Sequence, residues 1–341
     1  MSEALNTKSL VLISQGRRVE GSLLLRHALE VALEHDKPSA ALRAYYNLAD
    51  AASSQADRYE DAAEIVKQGI EHARKVGNRY WEWALLGFGY PFYALGAWDE
   101  VLAMRDELPH EDWTRARLAL GTGLCSAVPV YVHRGQLGEA RRMVDAVAEF
   151  QRSADLQERS YYGFATSQIL LAAGDPAGAL RIAESVFAEN KSTGYALDAV
   201  KEAFGLALQA ALELNRLEKA DELLASVERL PPGLRPQFLN AQVARFRAQV
   251  AARSGDPPPE AERLFKGAAG LFQELAVPFH LAVTRLEHAE WLAAQGRPDE
   301  AQPLLTEARE IFEQLEARPW IERLGKAARA GRETEAMTAG T

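Results

Sequence analysis

The chain repeats itself about every forty residues, and this period constrains its fold more than any other feature. A small residue recurs near the start of successive helix-like segments, with spacings of 39 to 41 residues. The recurring positions are Gly21, Ala62, Val101, Ala140, Ala179, Ala220, Ala261 and Ala301. A fixed period of this length is typical of stacked supersecondary units, in which each unit packs on its neighbours. The sequence therefore predicts a solenoid, whose long surface is better suited to binding than to catalysis.

A turn signal precedes each of these small residues. The signals are Gly16, Asp57, Gly96, Gly135, Gly174, Asn215, Gly255 and Gly296. In the last unit, hydrophobic periodicity predicts one helix from Pro278 to a stop at Gly296 and a second helix that begins near Pro298. Two helices joined by so short a connection must run antiparallel. We therefore expect an all-α superhelix of about eight helix–turn–helix repeats over residues 1–330, followed by a disordered polar tail at 331–341.

Charge and cysteine content narrow the functional classes. The 341 residues carry a formal net charge of −9, which argues against a nucleic-acid-binding surface and against docking on anionic lipid. Cys125 is the one cysteine, so neither an intramolecular disulfide nor a multi-cysteine zinc site can form. No apolar run is long enough to span a bilayer, and the first residues lack the pattern of a signal peptide. These features predict a soluble cytoplasmic protein.

The repeat pattern resembles the tetratricopeptide repeat. The positions that carry the resemblance are Gly89, Gly96 and Val101 in the third unit, and Ala289, Gly296 and Ala301 in the last. The period departs from the family pattern, because it is near forty residues rather than thirty-four. The resemblance implies longer helices stacked into a superhelix. It is specific for architecture and carries little information on function.

A narrower resemblance concerns residues 277–323, which are similar to the end of the helical-repeat region in large bacterial ATP-dependent regulators, either LuxR-type or cyclase-associated. In those regulators the repeats serve as a sensor or partner platform. The chain contains no GxxxxGK[ST] phosphate-binding loop. The resemblance therefore implies a binding platform that regulates an ATPase, cyclase or DNA-binding module outside this chain.

Aromatic residues concentrate in the third unit and predict a ligand pocket. In the repeat register, several aromatic and polar side chains of neighbouring units point to the inner, concave face. They are Trp83, Tyr90 and Tyr93, then His133, Tyr161, Phe164 and Gln168. Phe88 and Phe92 fall instead at packing positions. The inner set is suited to a small ligand or a peptide side chain. The alternative is that large aromatic residues simply pack wide helices.

A second inner-face patch is polar and contains Gln209, Gln242, Arg245 and Gln249. The planar guanidinium of Arg245 could bind a carboxylate or phosphate. The alternative is a solvated groove wall.

Pro91 and Pro129 lie inside predicted first helices, where proline removes one hydrogen bond and kinks the helix. Such kinks would either shape a ligand site or change the curvature of the superhelix.

Catalytic and metal-binding motifs are absent from the sequence. The seven histidines are scattered, no HExxH motif occurs, and the glycine-rich stretches follow no strand. We therefore predict no enzymatic activity, no cofactor and no metal. The favoured function is a platform that binds a protein segment or small effector. The alternative is an oligomeric scaffold that stacks through its terminal repeats without a small-molecule site.

Overall fold

All regular elements of the described residues are helices, and they pair as the period predicts. The computed structural model describes residues 1–108, 116–192, 194–254 and 258–339, with backbone alone described at 192, 258 and 330–339. The first four units contain α1 (Ser2–Ser14) and α2 (Arg18–Glu34), α3 (Pro38–Asp50) and α4 (Tyr59–Lys75), α5 (Arg79–Gly87) with α6 (Tyr90–Ala94) and α7 (Trp98–Asp106), and α8 (Arg117–Leu124) with α9 (Ala127–His133) and α10 (Leu137–Asp145). The next four contain α11 (Leu156–Ala172) and α12 (Pro176–Glu189), α13 (Asp198–Glu213) and α14 (Leu217–Glu228), α15 (Gln237–Ser254) and α16 (Pro258–Glu274), and α17 (Pro278–Ala294) and α18 (Pro298–Gln314), before α19 (Arg318–Ala339). The predicted all-α superhelix is confirmed.

The predicted turns are formed by residues in the left-handed backbone conformation. Seven of the eight turn residues lie in the described part of the chain, and all seven have positive φ; Gly255 lies outside it. A left-handed residue after a helix satisfies the last carbonyl groups and reverses the chain direction. Asp57 and Asn215 hold this conformation with φ values of 51° and 54°, and their residue types tolerate it better than most. The eight recurring small residues are all buried, where the paired helices approach closely.

The two interior prolines mark complete breaks, which exceed the kinks expected from the sequence. Pro91 lies in the first turn of α6, and Pro129 lies in the first turn of α9. A proline ring clashes with the carbonyl four residues earlier, so each first helix ends before that clash arises. The Gly89 amide then donates to the Gly87 carbonyl over 2.8 Å. The first helix of the third unit is therefore divided into α5 and α6, and that of the fourth unit into α8 and α9.

A short π-helical segment, Ala51–Gln55, continues α3 on the inner side and is largely buried. A π-helix widens the turn and changes which side chains face a neighbour. Here the Ser53 hydroxyl reaches the Asp198 carboxylate at 3.1 Å, and the Ser54 hydroxyl donates to Asp50 at 2.9 Å. This segment therefore joins the second unit to α13, which lies four units further along the chain.

The superhelix closes on itself across its inner face, which the period did not predict. The Arg134 guanidinium donates to the Leu315 carbonyl at 3.2 Å, and the backbone amide of Phe238 donates to Asp57 at 3.0 Å. These contacts join early units to late ones, in addition to the packing of neighbours. The inner face therefore encloses a cavity with aromatic and polar walls, rather than forming the long open groove expected of a solenoid.

Helix α19 follows the eight units and is described to Ala339 in its backbone. Side-chain packing is described only as far as residue 329, so the predicted disorder of the tail at 331–341 stays a prediction, and residues 340–341 lie outside the described part. Within the described ranges, no helix combines the length and hydropathy that crossing a membrane requires.

Candidate functional site

A cavity of about 340 Å³ lies on the inner face, where α6, α9 and α11 meet α13, α15, α17 and α19. Six of the ten residues singled out from the sequence line it: Tyr93, His133, Gln168, Gln209, Gln242 and Arg245. They come from the first helices of five consecutive units, the third to the seventh. The repeat register therefore brings these side chains together as expected, although their role in binding stays a prediction.

The other four predicted site residues lie elsewhere. Trp83 is half-buried, with the Arg79 guanidinium 5.8 Å from its ring. Tyr90 is buried behind the cavity wall, Phe164 lies in the hydrophobic core, and Tyr161 packs at Gly121 beside a separate surface depression. Large aromatic side chains at these positions pack the broken helices, which was the alternative explanation for the aromatic cluster.

One wall of the cavity is a continuous set of aromatic rings. Phe279 follows the first residue of α17, and Trp320 lies in the first turn of α19, so two helix starts direct rings into the same space. The centroids of Phe279 and His133 are 4.1 Å apart, and Phe279 meets Trp320 edge to face at 5.4 Å. Tyr93 stacks with His133 on the opposite side. The rings of this wall therefore pack directly on one another.

His133 is held as a neutral ring by three neighbours. The indole N–H of Trp320 donates to His133 Nδ1 over 3.2 Å, and an indole can only donate, so Nδ1 must be an acceptor. The hydrogen then lies on Nε2 and can be donated to the Tyr93 hydroxyl oxygen at 3.4 Å, whereas the Gln168 side-chain nitrogen, 3.0 Å from Nε2, is itself a donor and cannot accept it. Burial, with a smaller contribution from His280, lowers the His133 pKa to about 3.

Acidification should therefore weaken the contact between α9 and α19. The unfolded chain binds a proton at His133 near the ordinary pKa of 6.5, whereas the folded chain resists it down to about 3. The stabilisation is complete above about pH 6.5 and declines as the pH falls toward the pKa of His133 in the folded chain. The ring keeps some exposure at the cavity, which limits the effect. On acidification we expect the free energy of unfolding of the wild type to fall by about 1–2 kcal/mol more than that of His133→Gln. Urea unfolding of both proteins at several pH values measures the difference, and equal pH dependence would contradict it.

Glu202 places a buried carboxylate in the cavity wall. Its Oε1 atom accepts from the Tyr90 hydroxyl at 2.9 Å and lies 3.3 Å from Nε2 of His280. The other ring nitrogen of His280 lies 3.4 Å from the Gln242 side-chain nitrogen. Both partners of Glu202 can donate as neutral groups. Among the described residues, no lysine or arginine nitrogen comes within 4.0 Å of this carboxylate.

Arg245 is already paired within the chain. Its Nε and Nη2 atoms bind the two oxygens of Glu287 at 2.7 and 2.5 Å, and both side chains are buried. Nη2 also lies 3.4 Å from the Gln209 amide oxygen. The expectation that Arg245 is available for a ligand carboxylate or phosphate is therefore wrong for this structure. The alternative of a solvated wall is wrong as well, because Arg245 and Gln242 are buried.

A buried ion cluster lies beside the cavity and joins the second unit to the sixth. The ammonium group of Lys201 is inaccessible to solvent and contacts Asp57 at 2.7 Å and Asp198 at 2.8 Å. It also lies 5.6 to 5.8 Å from the ring centroids of Tyr59, Tyr90 and Phe238. Burial opposes the charge on Lys201, but the two carboxylates outweigh it and raise the pKa. The cluster has no open face for a substrate, so its role is structural.

Several cavity residues were not found by sequence reasoning. They are Glu202, Phe279, His280, Trp320 and Arg323. The pairing of Arg245 with Glu287 had a usable signal, since opposite charges 42 residues apart occupy the same register in adjacent units. No sequence signal pointed to Trp320, because its partner His133 lies 187 residues away across the closed inner face. Among the residues described, no group of three or more metal-ligating side chains was found.

Comparison with known families supports the repeat architecture. Residues 239–314, which extend through most of α15 to α18, match the tetratricopeptide repeat family. The chain contains a tetratricopeptide-like repeat region. A search of curated proteins gave no match. Repeats of this type generally mediate protein–protein interaction and are typically non-enzymatic, which agrees with a binding platform.

Proposed function

We propose that this chain is a non-catalytic binding platform whose inner cavity takes a small effector or one side chain of a protein segment. The cavity itself is the observation that supports the proposal. Its volume of about 340 Å³ and its mixture of aromatic and polar walls suit a small ligand. Of the ten residues selected from the sequence, we assign contact with the ligand to the six that line the cavity. Tyr90 acts indirectly, by positioning Glu202.

The location of the cavity suggests how binding is transmitted. Its walls come from early units through His133 and from late units through Phe279 and Trp320. A ligand that touches both sides favours the closed superhelix over a more open one, because it binds the closed state better. The ends of the superhelix would then move relative to each other. We infer that an attached or associated ATPase, cyclase or DNA-binding module senses this movement, as the resemblance to bacterial regulators implies.

Amide hydrogen exchange tests the platform proposal without knowledge of the ligand. Full-length protein is compared alone, with a small-molecule cell extract and with a random peptide mixture. We expect slower exchange in the helices that line the cavity, α6, α9, α11, α13, α15, α17 and α19, with at least one of the two mixtures. The matched control is Gly205→Leu, which fills the cavity: an added Cβ lies 3.2 Å from the flexible end of Gln242. Protection outside these helices, or equal protection in the filled variant, would contradict the proposal.

One observation favours the second candidate, an oligomeric scaffold. The first unit exposes Val11, Val19 and Leu23 to between 50% and 75%. Apolar side chains at the end of a solenoid can stack on another chain. Sedimentation at increasing concentration distinguishes this function, since association that disappears in Val19→Glu/Leu23→Glu would support it. A monomer at all concentrations would contradict it.

A further inference from the structure

We infer that the cavity selects an organic cation, namely an amine carried on an apolar body; this inference rests on the proposed function of the cavity. The first observation is that the buried carboxylates differ in whether a lysine or arginine neutralises their charge. Asp57 and Asp198 are neutralised by Lys201, and Glu287 is neutralised by Arg245. Glu202 is also buried, but its partners among the described residues are the Tyr90 hydroxyl and the His280 ring, which carries a charge only when protonated, and no lysine or arginine.

A buried carboxylate without a cation is costly, because desolvation is not offset by a full opposite charge. Glu202 lines the cavity, so a ligand placed there can supply the missing charge. The hydrogen bonds from Tyr90 and His280 both reach Oε1. Within the described part of the chain, no protein donor is found on Oε2, which leaves that oxygen for an ammonium group.

The remaining walls favour the same class of ligand. Tyr93, Phe279, Trp320 and His280 border the cavity that holds Glu202. The faces of aromatic rings carry partial negative charge and attract ammonium groups, and the attraction is strengthened where water is excluded. These rings also offer apolar surface to the body of the ligand. An ammonium group such as that of lysine is strongly hydrated in water. It binds aromatic rings more readily when a carboxylate matches its charge.

An anionic ligand is disfavoured because the arginines at the cavity are already occupied. Arg245 is bound on two nitrogens by Glu287, and Arg323 is bound on two nitrogens by Glu290 at 2.9 and 2.7 Å. A ligand carboxylate would have to displace one of these glutamates. Glu213, which is exposed at the rim, adds a further negative charge.

Three probes with the same ring and different charge test the inference: 2-phenylethylamine, 2-phenylethanol and phenylacetate. Titration calorimetry on the full chain at neutral pH measures each affinity. We expect the amine to bind at least about ten times more tightly than the alcohol, and phenylacetate to bind most weakly. Glu202→Gln should weaken the amine about tenfold and leave the alcohol unchanged. Glutamine keeps an oxygen that can accept from Tyr90 and His280, so the fold should be retained, which circular dichroism and thermal unfolding verify.

Two controls separate this inference from the proposed function. Glu213→Gln, at the rim, should change the amine affinity by less than about twofold. Gly205→Leu should abolish binding of every probe. If the alcohol or phenylacetate binds as tightly as the amine, or if Glu202→Gln has no effect, the cation inference is overturned while the cavity still binds ligands. If no probe binds, the inference is also overturned. The hydrogen-exchange experiment alone then tests whether the chain is a binding platform.

Discussion

Replacing Lys201 with methionine is expected to lower the free energy of unfolding by about 3–5 kcal/mol. The substitution keeps an unbranched side chain of similar length but removes the ammonium group that contacts both Asp57 and Asp198. The two carboxylates would stay buried beside each other, and their repulsion and desolvation would no longer be offset. Urea unfolding followed by circular dichroism measures the loss.

The matched control is Lys219→Met, because Lys219 also contacts two carboxylates, Glu184 and Glu222, but at the protein surface. Exposed ion pairs contribute little, so this variant should lose less than about 1 kcal/mol. Adding Asp57→Asn and Asp198→Asn to Lys201→Met should recover part of the stability, since asparagine tolerates the positive φ at position 57 and carries no charge. Equal losses in the two lysine variants would contradict the structural role of the cluster.

Gly87→Ala is expected to lower the free energy of unfolding by about 3 kcal/mol. Gly87 ends α5 where this helix meets α8. An added Cβ would lie 2.7 Å from the carbonyl carbon of Ala119 and closer still to its Cα and oxygen. These are backbone atoms, so the clash can be relieved only by separating two packed helices. Thermal and urea unfolding both report the loss.

Gly123→Ala provides the control in the same pair of units. Gly123 lies in α8, and an added Cβ there meets nothing within 4 Å. Alanine has the higher helix propensity, so this variant should be neutral or more stable by up to about 1 kcal/mol. If both glycine variants change the free energy of unfolding equally, glycine at position 87 is not needed for the close approach of α5 and α8.

The repeat units and their register could be predicted from sequence because they depend on local patterns. Residues such as Asp57 and Asn215 end a helix whatever the rest of the chain does, and Ala62 marks the crossing of one helix pair. Contacts between equivalent positions of adjacent units follow from the same register. Tyr93 lies beside His133, forty residues later, for this reason.

The closure of the superhelix could not be predicted, because it is the sum of small rotations between successive units. The period shows which face of a helix points inward, but not how far eight units turn. Lys201 meets Asp57 across 144 residues, and Trp320 meets His133 across 187. These contacts decide which inner-face residues are buried and which of them, such as Arg245, already have a partner. At Pro91 and Pro129 the sequence predicted kinks, whereas each first helix is interrupted completely.

Formation of a disulfide across the closed inner face is the most direct measurement. Gly135→Cys and Pro319→Cys are introduced together with Cys125→Ala; an added Cβ at Gly135 lies 3.6 Å from Pro319 Cγ, so the two thiols should be within bonding reach. The control pairs Gly135→Cys with Gly296→Cys, because an added Cβ at Gly296 meets nothing within 4 Å. The account predicts rapid intramolecular bonding in the first pair and none in the second under mild oxidation. A folded first pair that fails to form the bond would show that the early and late units do not meet, and the cavity between them would not exist.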